Sequence, residues 1–336
     1  MPRPGRPTTA YAVPKPVPIP LSRPPVDDEL KRAVLAAIDS RQYILGPECR
    51  ALEAELAHDT GVKHAVLTSS GTAALWLTLR ALGVKAGDEI LVPAHTAFPT
   101  VEAICLAEAT PVFVDADEFY TLDVADATTK ITPRTVGIIP VHLYGQPADL
   151  SAIQDLAARH DMWFLGSVLT SDDHIALRCR RLRDHGRLEK DVHGEVGFNL
   201  RFNELQAAAL RVLLRRLDTM NERRRALAAR YLQGLAGLPL VPPATRQRAR
   251  HVYHLFVVRT PRRAELAAFL KERGIQTGIH YPIPTHRQPA VERFAPPPLP
   301  RTERLVDEIL SLPMSADHTD EEIDRVIASV RAFFGA

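Results

Sequence analysis

Residues 67–83 read LTSSGTAALWLTLRALG. A short apolar run ends, hydroxylated residues follow, then a glycine, then a helical stretch that stops at another glycine. A strand that turns at once into a helix leaves the first helical N–H groups without backbone partners. With the hydroxyls of Ser69, Ser70 and Thr72, those groups form a natural phosphate cradle, and Gly71 lets a phosphate approach the backbone. The same letters also describe an ordinary capped helix, so the surrounding sequence has to decide.

From Lys63 onward, short apolar runs alternate with helical segments. KHAVLTSS precedes the quoted helix; EILVPAH precedes TVEAICLAEA; TPVFVDAD follows; TVGIIPVHLYG precedes DLSAIQDLAARHD; then comes MWFL at 162–165. This rhythm predicts an α/β fold with a mainly parallel sheet flanked by helices, because runs with few internal polar residues suit strands covered on both faces. Upstream, the many prolines of residues 2–25 predict an extended arm. A helix is predicted from Asp27 and Asp28, and a second from Pro47 to a stop at Gly61.

Downstream, SDDHIALRCRRLRDHG predicts a helix with Ser171 as N-cap and Gly186 past its end. NELQAAALRVLLRRLDTMNERRRALAARYLQGL predicts one long Arg-rich helix with its arginines on a solvated face. The remainder predicts a smaller C-terminal α+β domain, with Thr319 and Glu322 as a capping box on the last helix and a loop at Pro296–Pro298. The expected organisation is an arm over 1–25, a large domain over 26–225 and a small domain over 226–336.

A chain of 336 residues, 46% of them hydrophobic, can bury a core of this size. With 42 basic and 40 acidic residues the net charge is +2, which gives no case for nucleic acid or a membrane surface as partner. Cys49, Cys105 and Cys179 are far apart and form no CxxC, which argues against a disulfide framework or a structural zinc. Neither a signal peptide nor a membrane-spanning run is legible, so a cytoplasmic location is expected. No GxGxxG or Walker motif occurs, which disfavours a nucleotide-sugar oxidoreductase. Lysine chemistry has seven candidates: Lys15, Lys31, Lys63, Lys85, Lys130, Lys190 and Lys271.

Four further segments stand out: VPAHTAFPTVEAI, VHLYGQPADL, GFNLRFNELQAA (197–208) and GIQTGIHYPIPTHRQPA (274–290). Singly each has a plain explanation. His142 suits a satisfied strand-end histidine, Asn199 a turn, His280 and His286 a loop surface; Arg201, Asn203 and Glu204 sit at a helix entry. In their order, with SSGTAAL, they resemble the DegT/DnrJ/EryC1/StrS family of pyridoxal-phosphate (PLP) aminotransferases, from about residue 18 to the C-terminus. The resemblance implies a fold-type-I enzyme and a homodimer with composite active sites. It also implies transfer of an amino group from glutamate or glutamine to a keto sugar, often nucleotide-linked, for polysaccharides or secondary metabolites.

Carried over residue by residue, the resemblance places Ser70, Gly71 and Thr72 at the cofactor phosphate. It makes Asn199 the asparagine that reaches this phosphate from the partner subunit. His280 and Tyr281 fall in a loop beside the sugar substrate, and Tyr43 near the site entrance. Ala97 stands where the family often has an aromatic lid on the cofactor ring, with Phe98 next to it.

One part of the family pattern is missing. The strand matching MWFL normally leads to a carboxylate for the pyridine nitrogen, then to a phosphate-binding serine and the Schiff-base lysine. Here MWFL runs directly into GSVLTSDD, which matches the far side of that region. The resemblance therefore implies an internal deletion after Leu165 and no catalytic lysine. Lys190 precedes the asparagine segment and is a poor substitute; Asp115 and Asp117 are poor substitutes for the carboxylate. Loss of a middle strand should leave an open sheet edge or a cavity, with MWFL and GSVLT either fused or turning sharply at Gly166. The alternative reading is a non-catalytic dimer that binds phosphate or nucleotide-sugar ligands.

Overall fold

The computed structural model describes residues 17–160, 162–164 and 168–336. In chain order it forms α1 (Asp28–Asp39), α2 (Pro47–Thr60), β1 (His64–Ala65), α3 (Gly71–Ala81), β2 (Glu89–Pro93), α4 (Phe98–Leu106), β3 (Thr110–Val114), α5 (Val124–Thr129), β4 (Thr135–Ile138), α6 (Leu150–Arg159) and β5 (Trp163–Phe164). Next come β6 (Leu169–Thr170), α7 (Asp173–Arg183), β7 (Arg187–Glu189), β8 (Val192–His193), α8 (Glu204–Arg215) and α9 (Leu217–Gly234). Last are β9 (Phe256–Arg259), α10 (Arg263–Glu272), α11 (Pro300–Glu308), β10 (Ile309–Leu312) and α12 (Asp320–Phe334).

The central sheet runs β3-β2-β4-β5, all parallel. Every residue of β2 is buried. Ile90 and Val92 pack with Leu79 of α3 and Val101 and Ile104 of α4, while Leu91 packs on the other face with Ile138, Ile153 and Leu156. Helices on both faces explain why the strand reads as an unbroken apolar run. A separate core joins Leu227 and Tyr231 of α9, Phe256 and Val258 of β9, Leu266 and Leu270 of α10, and Val326 and Val330 of α12.

The structure corrects several expectations. KHAVLTSS does not supply a strand of the main sheet: His64–Ala65 pair antiparallel with β6 in a sheet of their own. MWFL and GSVLT are therefore not fused, since β5 and β6 belong to different sheets. The junction at Leu165 and Gly166 lies outside the described residues. Among the described residues β5 pairs only with β4, and β6 only with β1. A cavity of about 320 Å³ opens beside β1 and β6, lined by Ala65, Leu67, Val168, Leu169 and Phe202 and reaching Ser70 and Gly71.

Asp172, not Ser171, caps α7, its carboxylate accepting from the N–H groups of His174 and Ile175. A charge at the positive helix end outcompetes the neutral hydroxyl, and Ser171 Oγ instead accepts from Lys63 N. Gly186 does lie past the helix end, at φ 67°. The long Arg-rich helix breaks at Arg216, between α8 and α9. Its arginines are not a free solvated face: Arg211 pairs with Glu48 and Glu55, Arg215 and Arg216 with Glu29, Arg223 with Asp320, Arg225 with Glu222 and Arg230 with Asp324.

Elsewhere the readings of the helix ends hold. Asp27 caps α1, Gly61 ends α2, and Thr319 with Glu322 forms the capping box of α12. The described end of the arm is not free, because Ile19 is buried in the C-terminal core and bridges Ile275; the rest of the arm lies outside the described residues. The three cysteines are unpaired thiols. No described helix is long and apolar enough to cross a membrane, and no described His, Cys, Asp and Glu residues cluster as metal ligands.

Candidate functional site

The strand-to-helix turn at Ser70 forms as its sequence suggests. Ser70 is the N-cap of α3, its Oγ accepting from Ala73 N at 3.1 Å. Thr68 Oγ1 donates to Ser70 O at 3.0 Å and shapes the approach. Among the described residues the Gly71 and Thr72 N–H groups have no backbone partner. Gly71 is exposed, and a Cβ there would meet nothing within 4 Å. Two free N–H groups at the positive end of an 11-residue helix, beside open space, suit a phosphate dianion.

The cradle is tied to the Asn199 segment, since Ser69 N donates to Leu200 O at 2.9 Å. Asn199 itself is exposed, and its Oδ1 accepts from Arg201 Nε at 2.9 Å. Asn203 caps α8 by accepting from Gln206 N. Glu204, read only as a member of this helix entry, turns out to be an organising residue. It is 1% exposed. Its carboxylate accepts from Gly46 N (2.7 Å), Glu48 N (2.8 Å) and Cys49 N (3.0 Å), the unpaired first turn of α2. Burial pushes the Glu204 carboxyl up, but bonds from Cys49, Glu48 and Gly46 together hold it below the usual range. Glu204 N also donates to Tyr43 O, so exposed Tyr43 hangs from the same point.

His280 and His286 are not loop surface. His286 is buried, with Nε2 2.9 Å from Glu303 Oε1. His280 is half-buried and held at both ends. The Tyr144 hydroxyl donates to its carbonyl oxygen, so the same hydroxyl accepts from His95 Nε2, 2.6 Å away. His95 is thereby the Nε2–H tautomer, and its buried Nδ1 has no partner. Burial brings His95 down to about 4, consistent with a neutral ring. Gly278 makes room, since a Cβ there would sit 3.0 Å from the His280 ring. Gly145 permits the close approach of the 252–254 backbone, where a Cβ would meet His254 N at 2.8 Å. Tyr281 is half-buried, its ring edge-on to His280. His142 is a satisfied histidine, its Nδ1 accepting from Ala148 N.

Ala97 is the half-buried N-cap residue of α4, and Phe98 packs into the core between α3 and α4. No described lysine lines the cavity beside the cradle. Lys63 pairs with Asp173, Lys130 with Asp126 and Lys31 with Asp28; Lys190 is exposed between β7 and β8. Asp115 accepts from Thr302 N and Oγ1 at the start of α11, and Asp117 from Thr121 while paired with Arg246. Both carboxylates are structural. Among the described residues, the site thus fits the phosphate of a cofactor but offers it no amine.

A family model, the DegT/DnrJ/EryC1/StrS aminotransferase family, matches residues 24–165 and 166–331. The dTDP-3-amino-3,4,6-trideoxy-alpha-D-glucose transaminase of Streptomyces venezuelae is 41% identical over 346 positions, covering 90% of this chain and 91% of that protein. The UDP-N-acetyl-3-dehydro-alpha-D-glucosamine 3-aminotransferase of Acidithiobacillus ferrooxidans is 36% identical, covering 91% and 94%. The crystal structure of S. venezuelae DesV superposes with a TM-score of 0.90 at 38% identity, covering 95% of this chain and 99% of that one. The parallel sheet flanked by helices is accordingly that of a fold-type-I PLP aminotransferase. The chain belongs to the DegT/DnrJ/EryC1/StrS family of PLP-dependent aminotransferases.

Proposed function

We propose that this chain descends from aminotransferases of nucleotide-linked keto sugars, uses Ser69–Thr72 to hold the phosphate of PLP, and is itself inactive in transamination. Bound PLP would supply the electron sink for amino transfer, with glutamate or glutamine as donor. Ser70, Gly71 and Thr72 would hold its phosphate, and Asn199 would reach it from a partner subunit. Ala97 would lie by the ring, and Tyr43, His280 and Tyr281 on the substrate side. The expected setting is a cytoplasmic homodimer in polysaccharide or secondary-metabolite sugar biosynthesis, with a cofactor-binding domain over 26–225 and a smaller domain over 226–336. The dTDP- and UDP-linked sugars in the names of the relatives support the substrate class.

The observation that carries the inactivity is that, among the described residues, no lysine lines the cavity beside the free N–H groups of Gly71 and Thr72. A deletion after Leu165 agrees with two further findings. The family match is interrupted between 165 and 166, and the alignment with the S. venezuelae relative spans 346 positions, more than the 336 residues of this chain.

The test is to mix the purified chain with PLP, reduce with borohydride and map the peptides by mass spectrometry. PLP should bind reversibly, with no cofactor-modified lysine and no conversion of glutamate. A single lysine trapped stoichiometrically with turnover would sink the reading. The intact cradle also favours the second reading, a non-catalytic ligand-binding dimer. If genomic DNA across the codons for Leu165 and Gly166 encodes the missing stretch, that second reading loses its support.

A further inference from the structure

Glu53 of α2 and Arg183, the last residue of α7, meet in a largely buried ion pair. Arg183 Nη1 lies 2.6 Å from Glu53 Oε1, with the side chains 9% and 14% exposed. Both grip one residue of the segment between β1 and α3. Leu67 N donates to Glu53 Oε1 at 3.0 Å, and Arg183 Nη1 also donates to Leu67 O at 2.7 Å. The N–H and C=O of Leu67 thus close a ring with the ion pair.

The pairing of β1 explains why side chains are needed there. Along a strand, the main-chain groups of successive residues point alternately to the two edges. Val66 N donates to Val168 O, on the β6 side. Ala65 and Leu67 therefore turn their polar groups to the opposite edge, and among the described residues β1 pairs only with β6. Side chains take the place of a strand on that edge. Arg180 Nη2 donates to Ala65 O at 3.3 Å, and Glu53 with Arg183 serves Leu67.

A buried ion pair adds little net stability, because desolvation of its charges offsets their attraction. Arg183 Nε shows that cost, being buried without a hydrogen-bond partner among the described residues. What the pair supplies is geometry, since the donors of a guanidinium have fixed directions. Leu67 stands two residues before Ser69 and lines the cavity that reaches Ser70 and Gly71. Arg183 acts on this turn a second time through its carbonyl oxygen. Leu200 N donates to Arg183 O, and Ser69 N donates to Leu200 O, each at 2.9 Å. The side chain of Arg183 thus holds Leu67, while its backbone holds Leu200 beside Asn199.

We propose that Glu53 and Arg183 are positioning residues for phosphate binding at Ser69–Thr72. They fix the Leu67 peptide, and with it the direction in which the Gly71 and Thr72 N–H groups are presented. They act through the backbone and not by contact with the phosphate. The proposal rests on reading that turn as the holder of the cofactor phosphate.

Calorimetric titration with pyridoxamine 5'-phosphate and with pyridoxamine tests it. The ratio of the two affinities isolates the phosphate, and neither compound forms an imine with surface lysines. The parent should prefer the phosphorylated compound by about tenfold or more, the worth of one charge-assisted hydrogen bond. E53M/R183M removes both charges together, so no lone charge is left buried. It should lose most of that preference, while its pyridoxamine affinity and melting temperature stay close to the parent's. E53Q should retain the preference, because the contacts with Leu67 and Arg183 both end on Oε1 and an amide keeps that oxygen. R183K, a milder change, decides the matter if the double variant fails to fold. Its preference should drop by about threefold or more, because an ammonium lacks the fixed donor directions of a guanidinium. An undiminished preference in E53M/R183M, or in R183K where only that variant folds, would overturn the proposal. So would a fall of both affinities by the same factor, the mark of a merely structural pair. A parent with no preference for the phosphorylated compound would overturn the reading of the turn itself, and the positioning role with it. The parent and the variants thus report separately on the turn and on the ion pair.

Discussion

Replacing Glu204 by alanine should unfasten the start of α2 from the start of α8. Three backbone N–H groups, of Gly46, Glu48 and Cys49, end on one buried carboxylate at 2.7–3.0 Å. Leaving a buried donor unsatisfied costs about 1–3 kcal/mol, and water can reach the part-buried Glu48 N more easily than the other two. The expected loss for Glu204→Ala is therefore roughly 3–5 kcal/mol. Glu204→Gln keeps one acceptor oxygen and opposes an NH₂ to a backbone donor, for roughly 1–2 kcal/mol. The folded-state carboxyl titrates below its ordinary value of 4.5. Its stabilisation is thus fully present above that pH and fades as pH falls through the folded value. The gap between parent and Glu204→Gln should accordingly narrow in acid. Urea denaturation followed by circular dichroism, at fixed protein concentration and at pH 7 and pH 4, measures both effects. A Glu204→Ala chain within about 1 kcal/mol of the parent at pH 7, with unchanged m, would refute the assignment, because two bare buried donors and a part-buried third cannot be that cheap.

Two other outcomes follow from titratable groups shifted by their surroundings. Glu303 is held at about 2, first by the hydrogen bond from His286 and then, against its own desolvation, by Arg287. Burial keeps His286 itself below its ordinary value, so this bond comes from a neutral ring. Stability from Glu303 should be complete above pH 4.5 and lost as pH falls toward 2. Glu303→Gln should flatten the acid limb of the melting temperature, and an unaltered limb would show that the contact does not hold the carboxylate. His95 and His251 are both brought down to about 4 by burial, against an ordinary 6.5. The unfolded chain then takes up protons that the folded chain refuses, so stability falls as pH drops from 6.5 toward 4. Proton NMR titration should find both rings neutral at pH 5.5, and a midpoint near 6.5 for either ring would contradict its burial.

Much of the site was legible because its signals are local. The cap at Ser70, the free N–H groups of Gly71 and Thr72, and the capping box of Thr319 and Glu322 depend on neighbours within one helical turn. What was misjudged depended on distant partners. Ser171 and Asp172 are both competent caps on paper, and the choice followed from Ser171 being occupied by Lys63, 108 positions away. The arginines of α8 and α9 looked solvated because helical spacing does not reveal that Glu29, Glu48 and Asp320 will arrive opposite them. The apolar pattern of KHAVLTSS suits the main sheet, yet strand pairing is a property of two segments, and here the second is β6.

The identity of the lineage, the capped turn at Ser70 and the shortage of lysine were determined by the sequence itself, since residue order and the supply of amines do not depend on folding. The tertiary structure alone decided that Glu204 fastens two helices 155 positions apart and that the Tyr144 hydroxyl joins His95 to the His280 carbonyl oxygen, 136 positions along the chain. Hydrogen-bond partners are chosen by proximity in space, which local periodicity does not encode.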